Sequence, residues 1–246
     1  MRKKLNPVIL FVTIGLLWLS TIVALGLTTT PIGSSPVTIT EKIIKRTNQA
    51  IEVNLKIPVL KQVKNIAAQK KINKLLQTEA NKFLKPLELE AAKYLADTKK
   101  NPDLHFNKYS AYITYKVGFN KNDILSIPVR YYQYTGGANG LEVQVGYNFD
   151  LKTGKQLQLS DLFEKGFDYK KILSDEVLKQ MNAHKEIYFE DSFKNFKQID
   201  GKHPYYIANR NLVIFYGPFD IAPHAAGIPE FKIPFSKLKF TKTLQF

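Results

Sequence analysis

Four histidines are the first residues to test for chemistry, and their spacing argues against it. His105, His184, His203 and His224 stand far apart, with no HExxH and no other metal-ligand interval. His184 lies near Glu186 and Glu190, and His224 follows Asp220 by four residues. Acid–histidine pairs of this kind are common on surfaces. No GxSxG elbow is present, and no Ser/His/Asp set stands out by spacing. The chain has no cysteine, which excludes thiol catalysis, Cys-based zinc sites and a disulfide framework. No catalytic residue, metal or cofactor is expected.

The glycine-rich run Gly136–Gly140 (GGANG) invites comparison with a phosphate loop. Such loops sit between a strand and a helix whose N-terminus supplies the donors. Here the flanking segments both read as strands, so the glycines are expected to serve a hairpin that needs positive φ. The tyrosines are more suggestive. Tyr131, Tyr132 and Tyr134 precede the glycines, and Tyr205, Tyr206 and Tyr216 recur near the end. Alternation places Tyr132 and Tyr134 on the face opposite Tyr131. Flat rings with polar tips suit sugar or protein contacts, and equally cover a sheet face.

The elements that must position these residues follow from hydrophobic period. Val37–Arg46 and Ile51–Ile57 alternate and predict two strands joined near Asn48. Over Lys64–Asp97 the period lengthens: Ile72, Leu75, Leu76, Ala80, Phe83 and Leu87 form a helical stripe, with a Lys-rich face opposite. Pro86 is expected to kink or divide that helix. Strands return at Ala111–Phe119, turn at Asn120–Asp123, and continue through Ile127–Tyr134, where Pro128 predicts an edge or a bulge. Leu141–Phe149 is the clearest alternation in the chain. Short turns between these strands predict an antiparallel meander. Ser160 reads as an N-cap, Asp168–Ala183 and Glu190–Gln198 as helices, and Tyr205–Ala208, Leu212–Tyr216 and Phe231–Phe235 as strands. Helices among antiparallel strands make an α+β protein.

Charge and hydropathy speak to compartment. The 246 residues carry a formal +15, with 36 Lys and Arg against 21 Asp and Glu, which favours anionic partners. No charge interrupts Pro7–Leu27. As a helix, Val8–Leu27 rises roughly 30 Å, one hydrocarbon thickness. Arg2, Lys3 and Lys4 precede it, which predicts a cytoplasmic N-terminus over 1–7 and export of the remainder. Removing those three cations leaves +12 outside. A cleaved signal peptide is the competing reading, but the apolar run exceeds the roughly 7–15 residues of a signal core. Export makes nucleic acid an unexpected partner. Thr28–Pro36 (TTTPIGSSP) reads as a tether off the membrane.

The block Tyr131–Phe163 (YYQYTGGANGLEVQVGYNFDLKTGKQLQLSDLF), followed by Phe215–Phe235 (FYGPFDIAPHAAGIPEFKIPF), resembles a paired extracellular module of Gram-positive bacteria. That module forms the outer half of the lysozyme-sensing anti-sigma factor and accompanies the catalytic domain of some peptidoglycan deacetylases. The resemblance covers nearly everything from Val37 onward. It implies two packed α+β subdomains with antiparallel sheets and flanking helices, 37–152 and 153–246, after the membrane segment. Neither the sigma-binding nor the deacetylase domain of those relatives is expected here, so the resemblance carries over the binding module alone.

The expected function is therefore a non-enzymatic, envelope-facing module that binds a lysozyme-like muramidase or wall glycan, with anionic wall polymer favoured by the charge. A wall-modifying enzyme with an unrecognised site and a single-pass membrane regulator are the alternatives. The expected partner contacts are Tyr132, Tyr134, Thr135, Gly136, Gly137 and Asn139 in the glycine hairpin. Pro223, His224 and Gly227 in the second block of the resemblance complete the set. The protein is expected at the cell membrane, with its folded part outside.

Overall fold

Asn48 makes the first turn of the chain that the computed structural model describes, residues 36–242 except Pro102, together with Leu244. Its side-chain oxygen accepts from the backbone N–H groups of Ala50 and Ile51, at 2.8 and 2.9 Å. That reverses β1 (Thr38–Thr47) into β2 (Ile51–Lys61), an antiparallel pair. The expected membrane segment Val8–Leu27 and all of the tether before Pro36 lie outside the described residues. Among the described residues no helix is long and apolar enough to cross a membrane.

Helix α1 (Ile66–Lys100) begins where the Asn65 side chain accepts from the Ala68 N–H. Ala68, Ile72, Leu76, Ala80, Leu84, Leu87 and Ala91 recur every three or four residues and are buried. The helix is not divided at Pro86. Pro86 is exposed, so the carbonyl its ring leaves unpaired can be met by water, while Leu84 and Leu87 hold the turn on the sheet.

Helix α1 returns the chain to β3 (Tyr109–Tyr115), which pairs parallel to β2. The parallel pair corrects the expected antiparallel sheet to a mixed one, while the meander expected from Ala111 onward stands. Two strands separated by a long helix can lie parallel because the helix supplies the crossover. β4 (Phe119–Lys121), β5 (Ile124–Tyr134), β6 (Leu141–Asp150) and β7 (Lys155–Gln156) then follow through antiparallel pairings, giving the order β1-β2-β3-β5-β6-β7 with β4 also on β5. Asn122 and Asp123, both at positive φ, make the tight β4–β5 turn.

Pro128 stands in an interior strand and not at an edge, but opposite a bulge in its partner, since Tyr115 pairs with Val129 and Phe119 with Ser126, so that three residues face two. Its carbonyl accepts from Lys116 N–H at 3.1 Å, so its missing donor faces the same side, where the partner strand breaks between β3 and β4. The broken ladder is what tolerates a proline there.

The second layer begins with a 3-10 turn, Leu159–Leu162, capped by Gln158 and Asp161 and not by Ser160. Helix α2 (Tyr169–Ala183), capped by Asp168, buries Leu173, Val177 and Met181. Helix α3 (Glu190–Lys194) is shorter than its sequence signal. β8 (Tyr205–Ala208), β9 (Asn211–Phe215) and β10 (Glu230–Pro234) form an antiparallel sheet in the order β10-β9-β8. Its inner face (Ile207, Leu212, Ile214, Phe231 and Ile233) closes a core with α2, separate from the core beneath α1.

The two layers meet where β8 crosses the face of the first sheet turned away from α1. A Cβ on Gly118 would collide with the Ile207 carbonyl, and one on Gly146 with the Tyr205 carbonyl. Beside these glycines Ser126 and Asn148 are buried and fully engaged. Asn148 Nδ2 donates to Tyr205 O at 2.9 Å, Ile207 N–H donates to Ser126 Oγ at 2.8 Å, and Ser126 Oγ donates to Asn148 Oδ1 at 2.6 Å. The first sheet thereby satisfies the backbone of an edge strand that water cannot reach.

Candidate partner-binding rim

Tyr131 and Tyr132 are neighbours in β5 with opposite fates. Tyr131 turns toward α1, where it meets Phe83 edge-on and shares a 2.9 Å hydrogen bond with the Tyr147 hydroxyl. Burial pushes both phenols' pKa values up, so they remain neutral structural groups. Tyr132 faces the other way, as alternation requires, and lies directly across from Tyr112 on β3. Their rings stack at 5.6 Å and 10°, a pairing that contributes about 0.5–1 kcal/mol to the sheet.

The Tyr132 ring covers Gly140, where any Cβ would strike the phenol. A side chain at position 140 would have to displace that ring. Gly136 is required by its φ of +91° and is held by Asn107 Nδ2, which donates to its carbonyl at 2.9 Å. Gly137, expected to serve the turn in the same way, does not. It has ordinary φ and nothing within 4 Å of a Cβ, and it stands exposed. Thr135 and Asn139 are also exposed, and Tyr134 is half-buried at the end of β5.

The hairpin tip is tied to the second layer. His224 Nε2 lies 3.0 Å from Gly140 O. A carbonyl only accepts, so the imidazole carries its proton on Nε2. His224 opens a 3-10 turn, His224–Ala226, entered from Pro223 and closed by Gly227 at φ +68°. Phe219 lies beside it, ring centroids 5.7 Å apart, with 58% of its surface exposed and φ at +64°. A bulky residue in that region of backbone space is strained, and here it holds an aromatic ring out to solvent.

The expected contacts of both blocks are thus placed at one rim. Tyr132 and His224 converge on Gly140, Pro223 and Gly227 frame the histidine, and Thr135, Gly136, Gly137 and Asn139 form the loop beside it. Sequence reasoning missed Tyr112, Phe219 and the special place of Gly140. Tyr112 was legible as the opposite face from Ala111 and Ile113, but its pairing with Tyr132 needs strand order. Two other histidines have partners of their own. His184 is an exposed partner of Glu186 at 3.9 Å, and His203 packs edge-on against Tyr216. Among the described residues no three His, Asp or Glu side chains form a metal-binding group.

In class, this is a two-layer α+β module whose rim takes residues from both layers. Comparison with known proteins is more particular. Residues 44–142 match the family model described as deacetylase PdaC, and residues 160–236 match the one described as a protein of unknown function, DUF3298. The chain is similar to the anti-sigma-V factor RsiV of Bacillus subtilis, 28% identical over 199 residues, covering 78% of this chain and 65% of that protein. It is also similar to the peptidoglycan-N-acetylmuramic acid deacetylase PdaC of the same organism, 24% identical over 162 residues, covering 62% of this chain and 33% of that one. Less than two thirds of either relative's length is therefore spanned. DUF3298 family structures from Bacteroides fragilis and Pseudomonas aeruginosa share the fold, with TM-scores of 0.62 and 0.59 and identities of 18% and 17%. They cover 84% and 85% of this chain, and 94% and 96% of their own. The resemblance read from Tyr131–Phe163 and Phe215–Phe235 is borne out.

Proposed function

We propose that this chain is a non-enzymatic binding module of the bacterial cell envelope, held at the membrane through Val8–Leu27 with its folded part outside, and that its rim engages a lysozyme-like muramidase or wall glycan. The observation that carries the reading is the His224–Gly140 hydrogen bond. It unites a loop of the segment matched by the PdaC model with a loop of the segment matched by the DUF3298 model. A surface completed by both halves gives a physical reason for the two to travel together. Its exposed side chains are aromatic and polar, the composition of a recognition surface.

The net charge separates the two ligands. Animal-type lysozymes are basic and would be repelled at long range by a folded part at +12. Binding would then rest on a local fit of the rim into the sugar cleft, where such enzymes keep their carboxylates. Anionic wall polymer would be attracted by the overall charge, and salt would screen that attraction. Measuring capture of lysozyme and of insoluble wall from low to physiological ionic strength is expected to show salt-sensitive wall association and salt-tolerant lysozyme binding. Lysozyme capture that weakens steeply with salt would overturn the local-fit account, and capture of neither ligand would overturn the function.

A further inference from the structure

Beyond the crossing at Gly118 and Gly146, the outer faces of the two sheets diverge and enclose a cleft of about 520 Å³. Its depth is unusually polar. Gln144, a buried residue of β6, donates through Nε2 to Glu230 Oε1 of β10 at 2.9 Å. Tyr206 Oη donates to Glu230 Oε2 at 3.0 Å, and Arg130 donates to Gln144 Oε1 at 3.0 Å and to Glu142 Oε2 at 3.2 Å. Burial and the neighbouring Glu230 carboxylate push the Tyr206 phenol's pKa up, so the phenol keeps its proton.

Both carboxylates of the cleft are thus engaged from within. The two remaining charged residues are not. Lys116, from the first-layer wall, and Lys232, from β10, line the same cleft, are exposed, and have no ion-pair partner among the described residues. Two unpaired ammonium groups over a concave, partly desolvated surface concentrate positive potential there. Asn209 and Asn211 line the same space with amide donors and acceptors. Apolar side chains would close such a seam at less desolvation cost than Arg130, Glu142 and Glu230 do.

We propose that this cleft is a second binding site, distinct from the rim, for a small anionic group rich in hydroxyls, the chemistry shared by a carboxylate-bearing sugar and a polyol phosphate. Lys116 and Lys232 hold the anion. The asparagines and the outer edges of Glu142 and Arg130 receive and donate hydrogen bonds to hydroxyls. The site does not depend on the rim reading, since neither His224 nor Tyr132 lines it.

Calorimetric titration of the full chain with N-acetylmuramic acid, glycerol phosphate and neutral N-acetylglucosamine tests it. Saturation by N-acetylmuramic acid assigns the sugar source, and saturation by glycerol phosphate the polymer source. Either is expected to weaken about tenfold for each of Lys116→Ala and Lys232→Ala, the scale of one charged hydrogen bond. His224→Ala should leave this binding unchanged while reducing capture at the rim. Both lysines are exposed, so their variants should keep the parent melting temperature. Equal binding of the neutral sugar, no effect of the lysine variants, or no saturation by any probe overturns the proposal.

Discussion

Tyr132 and Gly140 lie eight residues apart on the two arms of one hairpin, with the phenol ring occupying the space that any side chain at position 140 would need. The same glycine's carbonyl accepts from His224, 84 residues away in sequence. One small residue thus seats an aromatic ring on one side and a cross-layer tie on the other. The rim is set by packing at the backbone and by a single exposed hydrogen bond.

Removing that bond should alter recognition more than stability. His224→Ala is expected to lower stability by about 1 kcal/mol or less, because the bond is exposed and both groups can turn to water. Capture of the rim's partner should fall severalfold. Phe219→Gly, which relieves a positive φ, should raise stability by about 1 kcal/mol while also weakening capture. Thermal melts beside binding curves check both, and a Phe219→Gly protein with lower stability would remove the strain argument.

The glycines of the joint and of the loop should respond in opposite ways. Gly146→Ala must push β8 off the first sheet, since the obstruction is the Tyr205 backbone carbonyl and not a flexible side chain. A loss of at least 2 kcal/mol is expected, of the order of a core overpacking. Gly137→Ala should change stability by no more than about 0.5 kcal/mol, as for an ordinary surface site. Denaturant titration of the two variants distinguishes them.

Acid should weaken the second layer through His203. Burial lowers the pKa of this imidazole from the ordinary 6.5, and the Phe215 backbone, Asp200 and Asp220 offset that only in part. Glu190, Asp191 and Lys197 line the same cavity of about 950 Å³. A histidine with depressed folded-state pKa binds its proton more readily when unfolded. Its contribution is therefore fully present above pH 6.5 and is lost as pH falls through the folded-state value. Denaturation midpoints measured downward from pH 7 should decline more steeply for the parent chain than for His203→Phe. Identical slopes would show that His203 does not titrate in the fold.

What the sequence determined by itself is local. Alternation over Leu141–Phe149 and the three-to-four spacing from Ile72 to Leu87 specify strand and helix because the two periods bury different faces. Asn122–Asp123 specifies a tight turn through positive φ, and alternation alone sent Tyr131 and Tyr132 to opposite sides. Tertiary structure decided what no local period encodes. It set β2 parallel to β3 across α1, placed Pro128 beside a break in its partner strand, and brought Tyr112 against Tyr132. It also left Gly137 without the role that its neighbours have, because a glycine's necessity depends on what approaches it. The rim itself belongs to this second category. Tyr132 was readable as a candidate from its type and His224 from the resemblance, but their convergence on Gly140 depends on how the two layers pack, with β8 seated on Gly118 and Gly146. A contact between residues so far apart in sequence is specified by the packing of two cores, and no single segment carries it.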